Sequence, residues 1–134
     1  MHTMSYHENI RINLMIETLL NKKGLDVQLI DLKNLSDCAD FFIICTGTSD
    51  QHVKSLSEDL SDKLKQFGDP PWHIEGADTR NWMLIDFVDI VVHVFRQETR
   101  EFYGLERLWG DAKIKEFTTH FEPEIVPRSP FEFS

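Results

Sequence analysis

Gly47-Thr48-Ser49-Asp50 places a glycine turn and two hydroxyls ahead of a helical pattern, a setting in which backbone amides and a helix N-terminus can hold a phosphate. It has one glycine where phosphate loops have two or three, no lysine follows, and Asp50 already satisfies the helix dipole. The stronger reading is a cap, with Thr48 and Gln51 in capping-box spacing and Ser49 competing. His73 with Glu75 project from one side of a short strand, and Asp86 with Asp89 flank a turn. No His-x-x-x-His, paired cysteine or Asp-x-Asp pattern supports a metal there, so rim and turn carboxylates are the better assignment. Cys45 has no basic sequence neighbour to lower its pKa, and a nucleophilic role is not supported. The richest cluster runs from Arg96 to Trp109: Arg96, Glu98, Arg100, Glu101, Glu106 and Arg107 among Phe102, Tyr103, Leu105 and Trp109. Aromatic anchors with alternating charge compose many protein interfaces, and the same pattern also fits a short helix with Phe102, Leu105 and Trp109 packed inward.

The elements that position these groups follow from periodicity. Ile12, Ile16, Leu19 and Leu20 mark a helix over Glu8 to Lys23, stopped by Gly24. Leu25 to Leu32 alternates as a partly exposed strand, and Phe41 to Cys45, apolar on both sides, reads as a central one. Val53, Leu56, Leu60, Leu64 and Phe67 define the clearest helix, closed by Gly68 and Asp69-Pro70-Pro71. Trp72 to Glu75 reads as a short strand and Gly76 to Arg80 as a loop.

Asn81 to Arg96 folds as a hairpin about Val88-Asp89. This register pairs Phe87 with Ile90, Ile85 with Val92 and Met83 with Val94 on an apolar face. Asp86 then opposes Val91, Leu84 opposes His93 and Trp82 opposes Phe95 on a mixed one. Leu84 and His93 either lie under a helix, with His93 hydrogen-bonded, or border a functional surface. Thr99 is expected to cap a short helix containing Arg100 to Tyr103. The segment from Lys113 to Ser134, with Pro123, Pro127 and Pro130, reads as an extended tail docked in part by Phe117, Phe121, Phe131 and Phe133. The order of elements predicts an α/β fold with a mixed sheet of about five strands.

Fourteen basic against 23 acidic residues leave a net charge of −9, spread along the whole chain. That argues against a bare phosphate backbone as the main partner and points to a basic partner, or to none. At 15.7 kDa the chain fits one domain, with roughly two-thirds of its surface buried on folding. Two cysteines make no disulfide framework, no apolar run could span a bilayer, and the first residues lack the apolar core of a signal peptide, so a reducing cytoplasm is expected.

The sequence resembles the ribosomal silencing factor family RsfS, also called Iojap. The resemblance is carried by Ala39-Asp40-Phe41-Phe42-Ile43-Ile44-Cys45, Gly47-Thr48-Ser49-Asp50, Glu75-Gly76, Trp82-Met83-Leu84-Ile85-Asp86 and Asp89-Ile90-Val91-Val92-His93-Val94-Phe95. Most specific are Glu98-Thr99-Arg100-Glu101-Phe102-Tyr103 and Leu105-Glu106-Arg107-Leu108-Trp109-Gly110-Asp111-Ala112. It covers residues 8–114; residues 1–114 are expected to form one α/β domain, with 115–134 as an extended tail. Two positions depart from the family pattern: Val88 replaces the usual turn glycine, which puts the turn type and register at issue, and Gly104 replaces a polar residue.

The resemblance implies a fold similar to the nucleotidyltransferases without their chemistry. It also implies binding to the large ribosomal subunit on ribosomal protein fourteen, blocked joining of the small subunit, and lowered translation or a role in subunit maturation. A nucleotidyltransferase needs two carboxylates one residue apart on a strand to hold Mg²⁺, and only Glu122-Pro123-Glu124 in the tail has that spacing. A non-enzymatic protein without cofactor or metal is therefore expected, acting by occlusion. The partner-binding residues expected from the resemblance and the hairpin face are Trp82, Asp86, Asp89, His93, Phe95, Glu98, Arg100, Tyr103 and Trp109. The rival is an enzyme using Gly47 to Asp50 with Glu75, Asp86 and Asp89; a third reading is a homodimer built on the tail.

Overall fold

A computed structural model describes residues 6–76 and 81–117. The chain runs α1 (Tyr6–Asn21), β1 (Leu25–Asp31), β2 (Phe41–Gly47), α2 (Asp50–Phe67), β3 (His73–Glu75), β4 (Trp82–Asp86), β5 (Ile90–Arg96), α3 (Gln97–Tyr103), α4 (Leu105–Leu108) and β6 (Lys113–Phe117). The strands form one mixed sheet in the order β3-β4-β5-β2-β1-β6. Only the β2–β5 pairing is parallel; α2 and the β3–β4 pair make the crossover between those two strands.

The apolar stripes of α1 and α2 pack together on one face of the sheet. Ile12, Met15, Ile16 and Leu19 meet Val53, Leu56, Leu60 and Leu64 over Val27, Leu29, Ile43, Ile85, Val92 and Val94, all buried. Each such side chain removed from water contributes about 1.5–3 kcal/mol, so this face holds most of the fold's apolar stabilisation. The opposite face has no long helix among the described residues. There Ile30, Leu32, Ile44 and Phe95 form a smaller core, roofed by Leu105, Trp109 and Ala112 and flanked by Phe42 and Trp82.

The hairpin has the expected register at every position from Trp82↔Phe95 to Asp86↔Val91, and the Phe87 N–H donates to the Ile90 carbonyl at 2.8 Å. Val88 does not shift it. The Asp89 N–H donates to the Phe87 carbonyl at 3.1 Å, a γ-turn whose centre, Val88, takes φ +79°. Asp86 Oδ1 accepts from the Val88 N–H at 2.7 Å and fixes the turn from within.

Three expectations change. The sheet has six strands, because Lys113–Phe117, read from sequence as the start of the tail, pairs antiparallel with β1. β1 is consequently an interior strand, and Ile30, which breaks its alternation, is buried in the smaller core. The helix after the hairpin begins at Gln97 with Arg96 at the cap position and no side-chain cap bond, so Thr99 lies inside it. Most of the loop expected at Gly76 to Arg80, and the tail beyond Phe117, lie outside the described residues.

Candidate interaction surface

The open face of the sheet carries an aromatic row. Alternation puts Leu84 and Trp82 of β4, His93 and Phe95 of β5, and Phe42 of β2 on this side, and α3 adds Tyr103. The Trp82 ring lies 4.9 Å from Phe95 and 4.7 Å from Tyr103, centre to centre. Phe102 stands edge-on to Tyr103 at 5.0 Å. Tyr103 is 51% exposed, Phe102 79% and Leu108 of α4 69%, so the row passes from core to water at its α3 end. Glu75 of β3 is exposed beside the row and Glu98 is exposed on α3, while Glu101 lies on the other side of α3, with Asp26 and Glu116. Beside the row, a groove of about 500 Å³ is lined by Glu75, Gly76, Asn81, Trp82, Leu84, Thr99 and Tyr103. Exposed aromatic area rimmed by carboxylates is suited to holding another protein's apolar and basic side chains.

Residues 5–130 match the family described as RsfS, ribosomal silencing factor during starvation. The chain belongs to the ribosomal silencing factor family. It is 38% identical over 94 residues to the ribosomal silencing factor RsfS of Bacillus subtilis, spanning 70% of this chain and 80% of that protein. It is 33% identical over 119 residues to the mouse protein named mitochondrial assembly of ribosomal large subunit protein 1, spanning 87% of this chain and 52% of the mouse protein. A crystal structure from Chromobacterium violaceum superposes with a TM-score of 0.73 at 36% identity, covering 80% of this chain and 88% of the other.

Within this silencing-factor chain the nine residues expected at the partner site separate by burial. Trp82 and Trp109 are half-buried, Tyr103 and Glu98 are exposed, and all four border or flank the open face. Asp86 is half-buried and engaged in the turn. The other four have structural tasks that sequence did not reveal. Phe95 is fully buried in the smaller core. His93 is 4% exposed and accepts at Nδ1 from the Trp82 indole N–H at 3.1 Å; burial lowers its pKa to about 4, so it is neutral.

Arg100 is buried as a strut. Its Nε donates to Glu106 at 2.8 Å, and its Nη1 donates to the Asp26 carbonyl and the Thr46 hydroxyl, each at 2.7 Å. Gly104, at φ +56°, lets its N–H donate to the Arg100 carbonyl and close α3. Asp89 turns toward the helices and makes a two-pronged ion pair with Arg11 of α1, at 2.8 and 3.2 Å, and Arg11 also pairs with Asp69. Burial works against the Arg11 charge, but the two carboxylates together outweigh it and raise its pKa. Asp86 and Asp89 therefore serve opposite sides of the turn and do not converge.

The residues of the enzymatic alternative are likewise occupied. The Ser49 hydroxyl accepts from the His52 N–H at 3.1 Å, so Ser49 and not Thr48 caps α2. His52 Nδ1 accepts from the Thr48 N–H at 2.9 Å, and its other ring nitrogen bonds the Lys22 carbonyl at 2.7 Å. A Cβ on Gly47 would meet the Val53 side chain at 2.8 Å: the glycine allows close packing on α2 and leaves no phosphate cradle. Asp50 pairs with Arg96 at 3.3 Å. The fold does bring a base toward Cys45, since Arg100 acts to lower its pKa, but burial dominates and pushes the thiol up to about 12. His73 and Glu75 bond each other at 2.8 Å on the exposed edge. The carboxylates of Glu8, Asp40 and Asp89 lie close together, with Lys33 on Glu8 and Arg11 on Asp89 offsetting their charge. Membership of the silencing-factor family gives the enzymatic reading no support.

Sequence reasoning passed over Leu108, whose neighbour Trp109 packs inward. The signal that finds it is the short α4, which exposes one of two adjacent apolar side chains and buries the other.

Proposed function

We propose that the protein binds the large ribosomal subunit through ribosomal protein fourteen and, by its bulk, blocks joining of the small subunit, repressing translation or aiding subunit maturation in the cytoplasm. The observation that carries this reading is the exposed aromatic end of the open face, Phe102 and Tyr103 beside Trp82, with Glu75 lining the adjoining groove and Glu98 exposed on α3. Such a surface supplies apolar anchors and a field that steers a basic ribosomal protein to it. Family membership supports the ribosomal setting, and the mouse relative's name supports the large subunit.

The test mixes the purified protein with separated subunits and follows their joining by sedimentation. Cosedimentation with the large subunit and a reduced yield of joined ribosomes are expected. The double change Phe102→Ala, Tyr103→Ala should weaken large-subunit binding more than tenfold, because it removes two exposed anchors from a small patch. Glu98→Lys should slow association several-fold, most at low salt, while altering stability by less than about 0.5 kcal/mol. Neither large-subunit binding nor inhibited joining in the unmodified protein would overturn the proposal.

A further inference from the structure

His93 is in a costly place for an imidazole. Leu84 faces it from β4 and Ile44 from β2; Phe42 presents a ring edge at 4.6 Å, and Phe95 lies along its own strand. Accepting the Trp82 N–H at Nδ1 requires that nitrogen to be bare, so the neutral ring carries its proton on Nε2. Nε2 is buried and has no hydrogen-bond partner among the described residues. A buried unmatched donor destabilises a fold, and an aliphatic side chain of similar size would fill the same space without one. What the imidazole supplies that leucine would not is one lone pair, and that lone pair is aimed at the indole N–H.

The indole needs such a restraint. Trp82 is half-buried, next to β3 at the edge of the sheet, with its ring between buried Phe95 and exposed Tyr103. These tilted contacts set its distance from the two rings but do not select between the χ2 states that put the N–H on opposite sides; a hydrogen bond to a buried ring selects one. Because Tyr103 packs on Trp82, the indole orientation also sets that of the phenol, and both line the groove beside the row.

We infer that His93 is a positioning residue: without touching the partner, its Nδ1 lone pair holds the Trp82 indole in the orientation in which Trp82 and Tyr103 together form the contact surface. This deepens the function proposed above and rests on it. It replaces the expectation from sequence that His93 itself lies in the contact.

The test compares His93→Leu, His93→Asn and Trp82→Phe in the full chain, with Trp82→Ala as reference, for affinity to purified large subunits. Asparagine keeps an acceptor near the Nδ1 position. Leucine removes the acceptor, and phenylalanine removes the donor while keeping a ring. His93→Leu and Trp82→Phe should each lower affinity about tenfold, the cost of one orienting hydrogen bond. His93→Asn should stay within about threefold of the unmodified protein. Combining His93→Leu with Trp82→Phe should be no worse than either alone, since both break the same bond.

A merely structural role would move stability and affinity together, whereas here His93→Leu should melt no lower than the unmodified protein while binding less tightly. The Trp82 indole N–H resonance in that variant should shift upfield and exchange faster with solvent. Unchanged affinity in either His93→Leu or Trp82→Phe, with Trp82→Ala weakened, overturns the inference alone. Unchanged affinity in Trp82→Ala as well overturns the placement of the contact surface on which it rests.

Discussion

The two faces of the sheet divide the labour of the molecule. Behind the strands, α1 and α2 give a thick, continuous apolar layer, most of whose members are fully buried. In front, a handful of buried side chains lie under the short α3 and α4, and the aromatic row runs out from beneath that roof into solvent. A face covered by two long helices can be stable but has nothing to offer a partner. A face covered in part keeps large side chains in order while leaving them reachable, at the expense of less apolar burial and a histidine donor with no partner among the described residues. Stability is concentrated away from the proposed contact surface.

Three measurements would break or sharpen this contrast. Leu60→Ala, deep in the helical layer, should cost about 3–4 kcal/mol by chemical denaturation and leave large-subunit affinity of the folded fraction unchanged. Equal losses in both would mean that the two faces are not separable.

The second concerns pH. The folded pKa of His93, about 4, lies below the ordinary 6.5, so the unfolded chain binds the extra proton between those values. Stability from keeping this ring neutral is full above pH 6.5 and falls as pH drops toward 4, by about 3 kcal/mol in all. The titratable and charged groups on the open face include Asp86 of β4, His73 and Glu75 of β3, Glu116 of β6, Arg100 and Tyr103 of α3 and Glu106 of α4; burial causes the shift. Denaturation midpoints at pH 7 and 4.5 should therefore differ more in the unmodified protein than in His93→Leu. Equal acid sensitivity would show that the ring is not neutral in the fold.

The third and smallest effect is Val88→Gly. A β-branched residue at φ +79° carries strain that glycine does not, partly offset by glycine's greater freedom when unfolded. A net gain of about 1 kcal/mol is expected from thermal unfolding. A loss would mean that the exposed valine packs in a way that its 63% exposure does not suggest.

How far these features were legible in the sequence depends on whether the cause was local. The hairpin register followed from strict alternation over Trp82 to Phe95, and even the unsuitable Val88 did not displace it, because Asp86 braces the turn and the apolar face fixes the pairing. α2 was legible for the same reason: its stripe and glycine stop are within its own span, and the sequence narrowed its cap to Thr48 or Ser49. β6 was not, since Lys-Ile-Lys-Glu-Phe has too few apolar residues to announce a strand and takes its order from β1.

Charges were the least legible. Arg100 and Arg107 stand in the same alternating run, yet one is buried on Asp26, Thr46 and Glu106 while the other is exposed. Two of those three partners, Asp26 and Thr46, lie far off in sequence. The same holds for Asp89, whose direction is set by Arg11 on the first helix. That aromatics gather on one face was readable from the alternation; which of them are exposed and which are core was not, because that depends on how far α3 and α4 reach over the sheet.

The pairing of β1 with β6 has a consequence for how the protein is made. Val27 to Asp31 must wait for Lys113 to Phe117, more than 80 residues later in the chain. As the chain leaves the ribosome, β1 can find β2 early, but its outer edge keeps its amides and carbonyls open until almost all the described domain has emerged. Such an edge is a template for wrong pairing while it lasts. Among the described residues the sheet is therefore completed by its last-synthesised strand, and slow closure of that edge leaves a nascent copy open to aggregation.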